Sequence, residues 1–367
     1  MGPVRVSGAN RLWRHAGRAA TILKRHAAHL SGTMPELSRR DVLRTVGVGL
    51  AAGTASAGSV SADGGWHAVA SPTDSDLADV AHTASGAYAV GGGGVVLERR
   101  GSGTDDGAEW HTLTTTGPDG NGSNLHACAP TADGVRLWVA GASGALAELD
   151  VETNTVASHS APDDVTDQFT SLVVAGSGDD ATVFVADSSG HVHVSTGTER
   201  SEPGERTWTH ATPGSGAAIR ALARGDGGRV VAVDANGDVF ARGSEGAWAR
   251  IGIEDADAGL YDATVVGGRA RVAGGTLYRE GDDAWDATDP TERTLYDIAM
   301  GSCGCIHAVG ASGTVLHRPG HDLPGGVTVA RWLGLWEETH PVEADLRGVT
   351  LGDPHVAVGA SGTVVEA

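Results

Sequence analysis

The 367-residue chain is 40% hydrophobic but only 4% aromatic, and it carries 56 glycines, a composition for short strands and many tight turns rather than large helices. Its net charge is −20, unevenly placed: residues 1–62 hold nine of the 26 Lys and Arg and two acids, leaving 17 basic and 44 acidic residues from position 63 on, with Lys24 the only lysine. So acidic a body excludes nucleic acid and anionic lipid as expected partners, because both need clustered Lys and Arg.

Acids spread over every segment read as a surface adapted to concentrated salt, although a local acidic patch for a cationic ligand also fits. The three cysteines, Cys128, Cys303 and Cys305, are too few and too odd in number for a disulfide framework, so stability must come from packing.

Residues 1–33 contain six basic residues and no acid, and read as a non-native or disordered leader, with Met1 and Met34 both open as the start. From Met34 to Ala62 the pattern changes. Ser38-Arg39-Arg40-Asp41-Val42-Leu43-Arg44 is followed by a mildly apolar run from Val46 to Ala52 and then by small residues ending Val60-Ser61-Ala62. This segment resembles a twin-arginine translocation signal, with a small-residue cleavage site after Ala57 or Ala62. The apolar run is far short of the roughly 20 residues a membrane helix needs. The resemblance implies export to the cell surface or medium, with no transmembrane segment. It implies no cofactor.

From Leu77 onward one unit recurs. It opens on an apolar residue, two variable ones and another apolar or small one: Leu77–Val80, Leu125–Cys128, Phe169–Leu172, Ile219–Leu222, Leu260–Ala263, Leu295–Ile298 and Leu346–Val349, at spacings of 35 to 51 residues. Each opening is followed by a short β run, a four-residue turn and a second β run, as in residues 89–99, 139–149, 185–195, 232–242, 308–318 and 357–367, with a shortened copy at 272–280. Gly or Asp at the first turn position and Gly at the fourth predict a sharp reversal with positive φ. The fourth element carries Trp110, Trp208, Trp248, Trp285 or Trp336, with Val156 in the second unit.

An unclaimed copy of that fourth element, Trp66-His67-Ala68-Val69, precedes the first unit, and the last unit stops at Ala367 without one. Residues 63–367 are therefore predicted to be all-β: a seven-bladed β-propeller of four-stranded blades, its ring closed by the N-terminal strand. The tryptophans are expected in the wedges between blades. Over residues 66–367 the pattern LxxV, then AVGxxGxV(I)L, then a Gly-rich turn and Trp resembles the propellers of photosystem II assembly and stability factors and related Asp-box propellers. That likeness implies a binding platform. The complete Asp-box motif is absent, and so is an evident basic patch.

The third position of the opening strand is Asp79, Asp262 and Asp297 in three units, and these residues are the candidate ligand-binding set. On the innermost strand they should stand at one level around the channel, where Asp262 and Asp297, in neighbouring units and beside Tyr261 and Tyr296, could share a cation or shift one another's pKa. The plainer alternative is that each caps local backbone amides. Cys303, Cys305 and His307 have a metal-like i, i+2, i+4 spacing, but adjacent glycines and a missing fourth ligand favour two small buried residues beside a surface His, or an oxidised cysteine pair, and no metal is expected. Asp234–Asp238 falls on the standard turn and lacks the rest of a calcium loop.

Arg220 and Arg347 follow the first residue of two inner strands without the third arginine that a sialidase-like carboxylate site uses. No nucleophile elbow, phosphate loop or dinucleotide fingerprint is present. The catalytic residues, if any, are unknown. The expected function is an exported, non-catalytic scaffold binding an unidentified extracellular or envelope protein or glycan; the alternative is an extracellular propeller hydrolase or lyase acting on glycan.

Overall fold

The computed structural model describes residues 65–101, 108–197, 206–253, 256, 259–301, 304–320 and 336–367. The leader and the twin-arginine segment lie outside the described residues. Twenty-eight described strands form seven four-stranded antiparallel sheets. Six are built from consecutive strands of one repeat, as in blade 1: Leu77–Thr83, Gly86–Gly91, Val95–Arg100 and Glu109–Thr115. The seventh is composite. Leu346–Thr350, Val356–Gly359 and Val364–Glu366 are completed by His67–Val69, which pairs with the last strand through Ala68↔Val365. The two ends of the propeller thus share one sheet, and the ring has no open edge there. No described helix is long and apolar enough to cross a membrane.

The first strands of successive blades pack against one another around a central channel, and the first strand of blade 1 also meets that of blade 7. Seven apolar clusters each join residues of two neighbouring blades. Six contain a tryptophan in the fourth strand or immediately before it, as expected: Trp110 packs beside Val356 and Val358, Trp66 beside Val309 and Val315, and Trp208, Trp248, Trp285 and Trp336 sit likewise in their own junctions. The cluster between blades 1 and 2 has none, because Val156 takes that place and stays exposed.

Two details of the repeat differ from the simplest expectation. The fourth turn glycine does have positive φ (Gly94, +77°; Gly144, +69°), but the first is extended, with Gly91 at −175°. What Gly91 supplies is room: a Cβ there would lie 2.1 Å from the Asp76 carbonyl oxygen. Blades 3 and 4 use Asp187 and Asp234 instead, whose side chains accept two turn amides each. Secondly, every opening strand carries a β-bulge at its second residue, between Leu77 and Asp79 and at the equivalent place in all seven blades. The bulge leaves that residue out of the ladder and re-aims its neighbours.

Candidate functional site

The bulges decide what the three candidate aspartates do. Asp79, Asp262 and Asp297 stand at the level predicted for them and line one central cavity of about 450 Å³. Their oxygens, however, are taken up by backbone amides. Asp79 accepts from Val80 N at 2.7 Å and from Cys128 N of the next blade at 2.7 Å. Asp262 accepts from Ile298 N of blade 6 at 3.1 Å; Asp297 accepts from its own Ile298 N at 2.7 Å and from Val349 N of blade 7 at 2.5 Å. Ser171 repeats the device, its hydroxyl accepting from Leu222 N at 2.9 Å. Each of these side chains staples its blade to the next.

The electrostatics follow from three acids around one narrow lumen. Burial first, and then the Asp297 charge, push the Asp79 carboxyl up to about 7 against the lowering effect of its two amide donors. Burial and the Asp297 charge also hold Asp262 well above the usual carboxylate range, and the two side chains are hydrogen-bonded. The Asp297 charge thus acts on both Asp79 and Asp262. A cation shared by Asp262 and Asp297 would have to compete with the amides.

The bulged second positions face elsewhere. None of Ala78, His126, Thr170, Arg220, Tyr261, Tyr296 and Arg347 lines the cavity, whose walls run from the third position toward the far ends of the strands at Arg224, Met300 and Leu351. Four of them form an arc over blades 4 to 7. The Arg220 guanidinium lies 5.0 Å from the centre of the Tyr261 ring, Tyr261 meets Tyr296 edge-to-face at 5.3 Å, and Arg347 reaches Asp76 at 3.1 Å. Tyr261 is one of two large apolar side chains left exposed among the described residues. Arg220 and Arg347 thus lie apart from the channel carboxylates, whereas Arg224 shares the cavity with them.

Residues with metal-binding chemistry meet away from the channel. In blade 3, Asp187 Oδ2 is bonded to His191 Nδ1 at 3.0 Å and His193 Nε2 at 2.8 Å, and these ligand atoms lie within 4.8 Å of one another. Burial works to raise Asp187, but the bonds from the His193 ring, the His191 amide and the His191 ring outweigh it and hold the carboxyl at about 2. The trio could hold a divalent cation in place of the shared protons. It was legible as a turn Asp followed by His at i+4 and i+6, the two histidines one strand period apart. The Cys303, Cys305 and His307 spacing does not make such a site. Cys303 lies outside the described residues, Cys305 is disulfide-bonded, and His307 is buried against His317, His355 and Trp66. Asp234 serves the turn, as expected.

The sequence matches no protein-family model and no curated protein. Its fold is shared by many solved structures. YCF48 bound to a D1 peptide aligns at 16% identity over 83% of this chain and 96% of that one, with a TM-score of 0.64. Virginiamycin B lyase from Staphylococcus aureus aligns at 10% identity over 82% and 98%, also at 0.64. The WD40 propeller domain of Doa1 aligns at 13% identity over 83% and 97%, at 0.62. At such identities the likeness is one of architecture.

Proposed function

We propose that the chain is an exported, non-catalytic propeller that binds a protein or a small ligand at the cell surface, through the arc of Arg220, Tyr261, Tyr296 and Arg347. One observation carries this reading: the exposed Tyr261 ring, with Tyr296, Arg220 and Arg347 around it, lies off the channel cavity, where Arg224 is the single arginine of the lining and the carboxylate oxygens are occupied by backbone amides. An acid–base site needs those groups to converge on one pocket. An open ledge of Tyr and Arg is instead the composition of binding hot spots. A structural neighbour captured with a peptide is in keeping with it. Export rests on the twin-arginine resemblance, and the acidic body suits a saline exterior.

The test is affinity capture of the mature chain from its native high-salt envelope, run beside a Tyr261→Ala, Tyr296→Ala double variant. A stoichiometric partner lost with the double variant supports the reading; a partner retained undiminished removes the arc from it. The second reading, a glycan hydrolase or lyase, keeps one observation in its favour, the Asp79 carboxyl raised to about 7. Turnover of an acidic glycan, abolished by Asp79→Asn without loss of fold, would replace the first reading with the second.

A further inference from the structure

Propeller junctions repeat one geometry, so residues can be matched between them by register. In blade 7, Val356 pairs with Glu366; in blade 5 the same rungs hold Arg271 opposite Arg279. Arg99 of blade 1 and Arg318 of blade 6 likewise occupy equivalent ends of the third strand, next to Trp110 and Trp336.

Where blade 7 meets blade 1, the set is complete. Arg99 forks onto Glu366, Nε to Oε1 at 2.8 Å and Nη2 to Oε2 at 2.9 Å, and Trp110 Nε1 donates to the same carboxylate at 2.8 Å. Where blade 5 meets blade 6, the Arg–Trp pair recurs, with the Arg318 guanidinium 6.0 Å from the Trp336 ring centre. The carboxylate does not recur. Arg279 stands in the place of Glu366, and Arg271 in that of Val356.

Three guanidiniums therefore line one cavity of about 400 Å³, together with Leu277, Tyr278 and Trp336. The acid in its lining, Asp286, pairs with Arg279 at 2.6 Å on the exposed side. Among the described residues, Arg271 Nε and Nη1 are buried without a hydrogen-bond partner. Burial, and then the charges of Arg279 and Arg318, lower its pKa. A buried charged donor without an acceptor is costly, and native structures rarely tolerate one without a use. In a body with 17 arginines against 44 acids, finding carboxylate partners is not the difficulty.

We propose that this wedge is a binding site for a carboxylate from outside the chain, seated where Glu366 sits in the closing junction. Arg271 and Arg318 supply the planar donors that match a carboxylate, and Trp336, Tyr278 and Leu277 receive the body that carries it. The carboxylate can come from a peptide or from a sugar acid. The site is distinct from the aromatic arc, and it gives the binding reading a ligand class.

The test uses the mature chain with three probes: N-acetylleucine, N-acetylleucinamide and glucuronate, followed by calorimetry and tryptophan fluorescence. Millimolar or tighter binding of at least one acid is expected, with the amide weaker by about ten-fold or more. A preference for glucuronate identifies a sugar acid, and a preference for N-acetylleucine a peptide carboxylate. Arg279→Glu would supply the carboxylate from within, so it should raise Tm and abolish binding. Arg271→Leu should fold at least as stably and lose about ten-fold in affinity. Binding of neither acid, equal binding of acid and amide, or affinity unchanged in both variants overturns the proposal. Partner capture that depends on Tyr261 and Tyr296 reports on the arc alone, so the two readings fail independently.

Discussion

The junction that closes the ring and the junction between blades 5 and 6 are held together in opposite ways. In the closing junction the third position of the opening strand is Gly348, which cannot staple, and the polar clasp lies on the outer strands as the buried Arg99–Glu366 pair. Between blades 5 and 6 the clasp is at the channel, from Asp262 to Ile298 N, and the outer wedge holds three arginines with no inward carboxylate among the described residues. Residues 70–76 carry the chain from His67–Val69 in blade 7 into blade 1, but blade 7 itself is closed only by the pairing of His67–Val69 with Val364–Glu366, so a clasp on Glu366 holds the strand beside that non-covalent seam. Between blades 5 and 6 no such seam adjoins the junction, and its outer tier carries no internal clasp among the described residues.

The most damaging way to break this contrast is Glu366→Arg, which turns the closing junction into a copy of the other. It sets two guanidiniums together in a wedge where Arg99 is 4% exposed, and leaves the Trp110 indole N–H without its acceptor. A loss of about 3–5 kcal/mol is expected, read as a lower midpoint in denaturant at fixed salt. Loss near zero would mean that strand pairing alone closes the ring.

The channel tier should be separable by pH. The Asp79 carboxyl moves from 3.8 to about 7 on folding, so the folded chain holds a proton that the unfolded chain releases across that interval. The resulting stabilisation is complete below pH 3.8 and is lost as pH rises toward 7, a slope worth on the order of 1–2 kcal/mol for a group still in reach of channel water. Melts of the wild type and Asp79→Asn between pH 4 and 8 check this: the difference between them should shrink or reverse along that slope. A constant difference would show that Asp79 does not titrate there. Arg279→Glu, the reverse copy, should gain only about 1 kcal/mol, because Arg279 is exposed and its new pair is half-solvated.

These contrasts show what a repeat makes legible. Seven openings and seven fourth elements were enough for the blade count, for the composite last sheet and for the level of Asp79, Asp262 and Asp297 on the channel. The role of those aspartates was not, because it depends on the bulge, which the period of the sequence does not reveal. Capping was one of the two expectations, but the amides it reaches belong to the next blade as well as its own. The arginine wedge was invisible for a different reason. Arg271, Arg279 and Arg318 lie on three strands of two blades, in a chain whose overall charge argues against any basic site; only matching rungs across junctions exposes Arg279 where Glu366 stands. Val156 was the reverse case, a gap in the pattern that marked a gap in the structure.

That gap offers the smallest of the expected effects. Between blades 1 and 2, an apolar cavity of about 160 Å³ is walled by Val96, Leu113, Val139 and Leu149, and Val156 at its edge is 48% exposed. Val156 pairs with Leu149 as Trp110 pairs with Arg99, so an indole there would point into the wedge as the other tryptophans do. Val156→Trp should add apolar burial without creating strain, since the space is already open, and raise stability by about 0.5–1 kcal/mol, seen as a modest rise in Tm. Carboxylate binding between blades 5 and 6 should not change, which makes the variant a control for that site. A fall in Tm would mean that the walls cannot admit a ring, and that the tryptophan wedges elsewhere depend on local backbone spacing rather than on the repeat geometry alone.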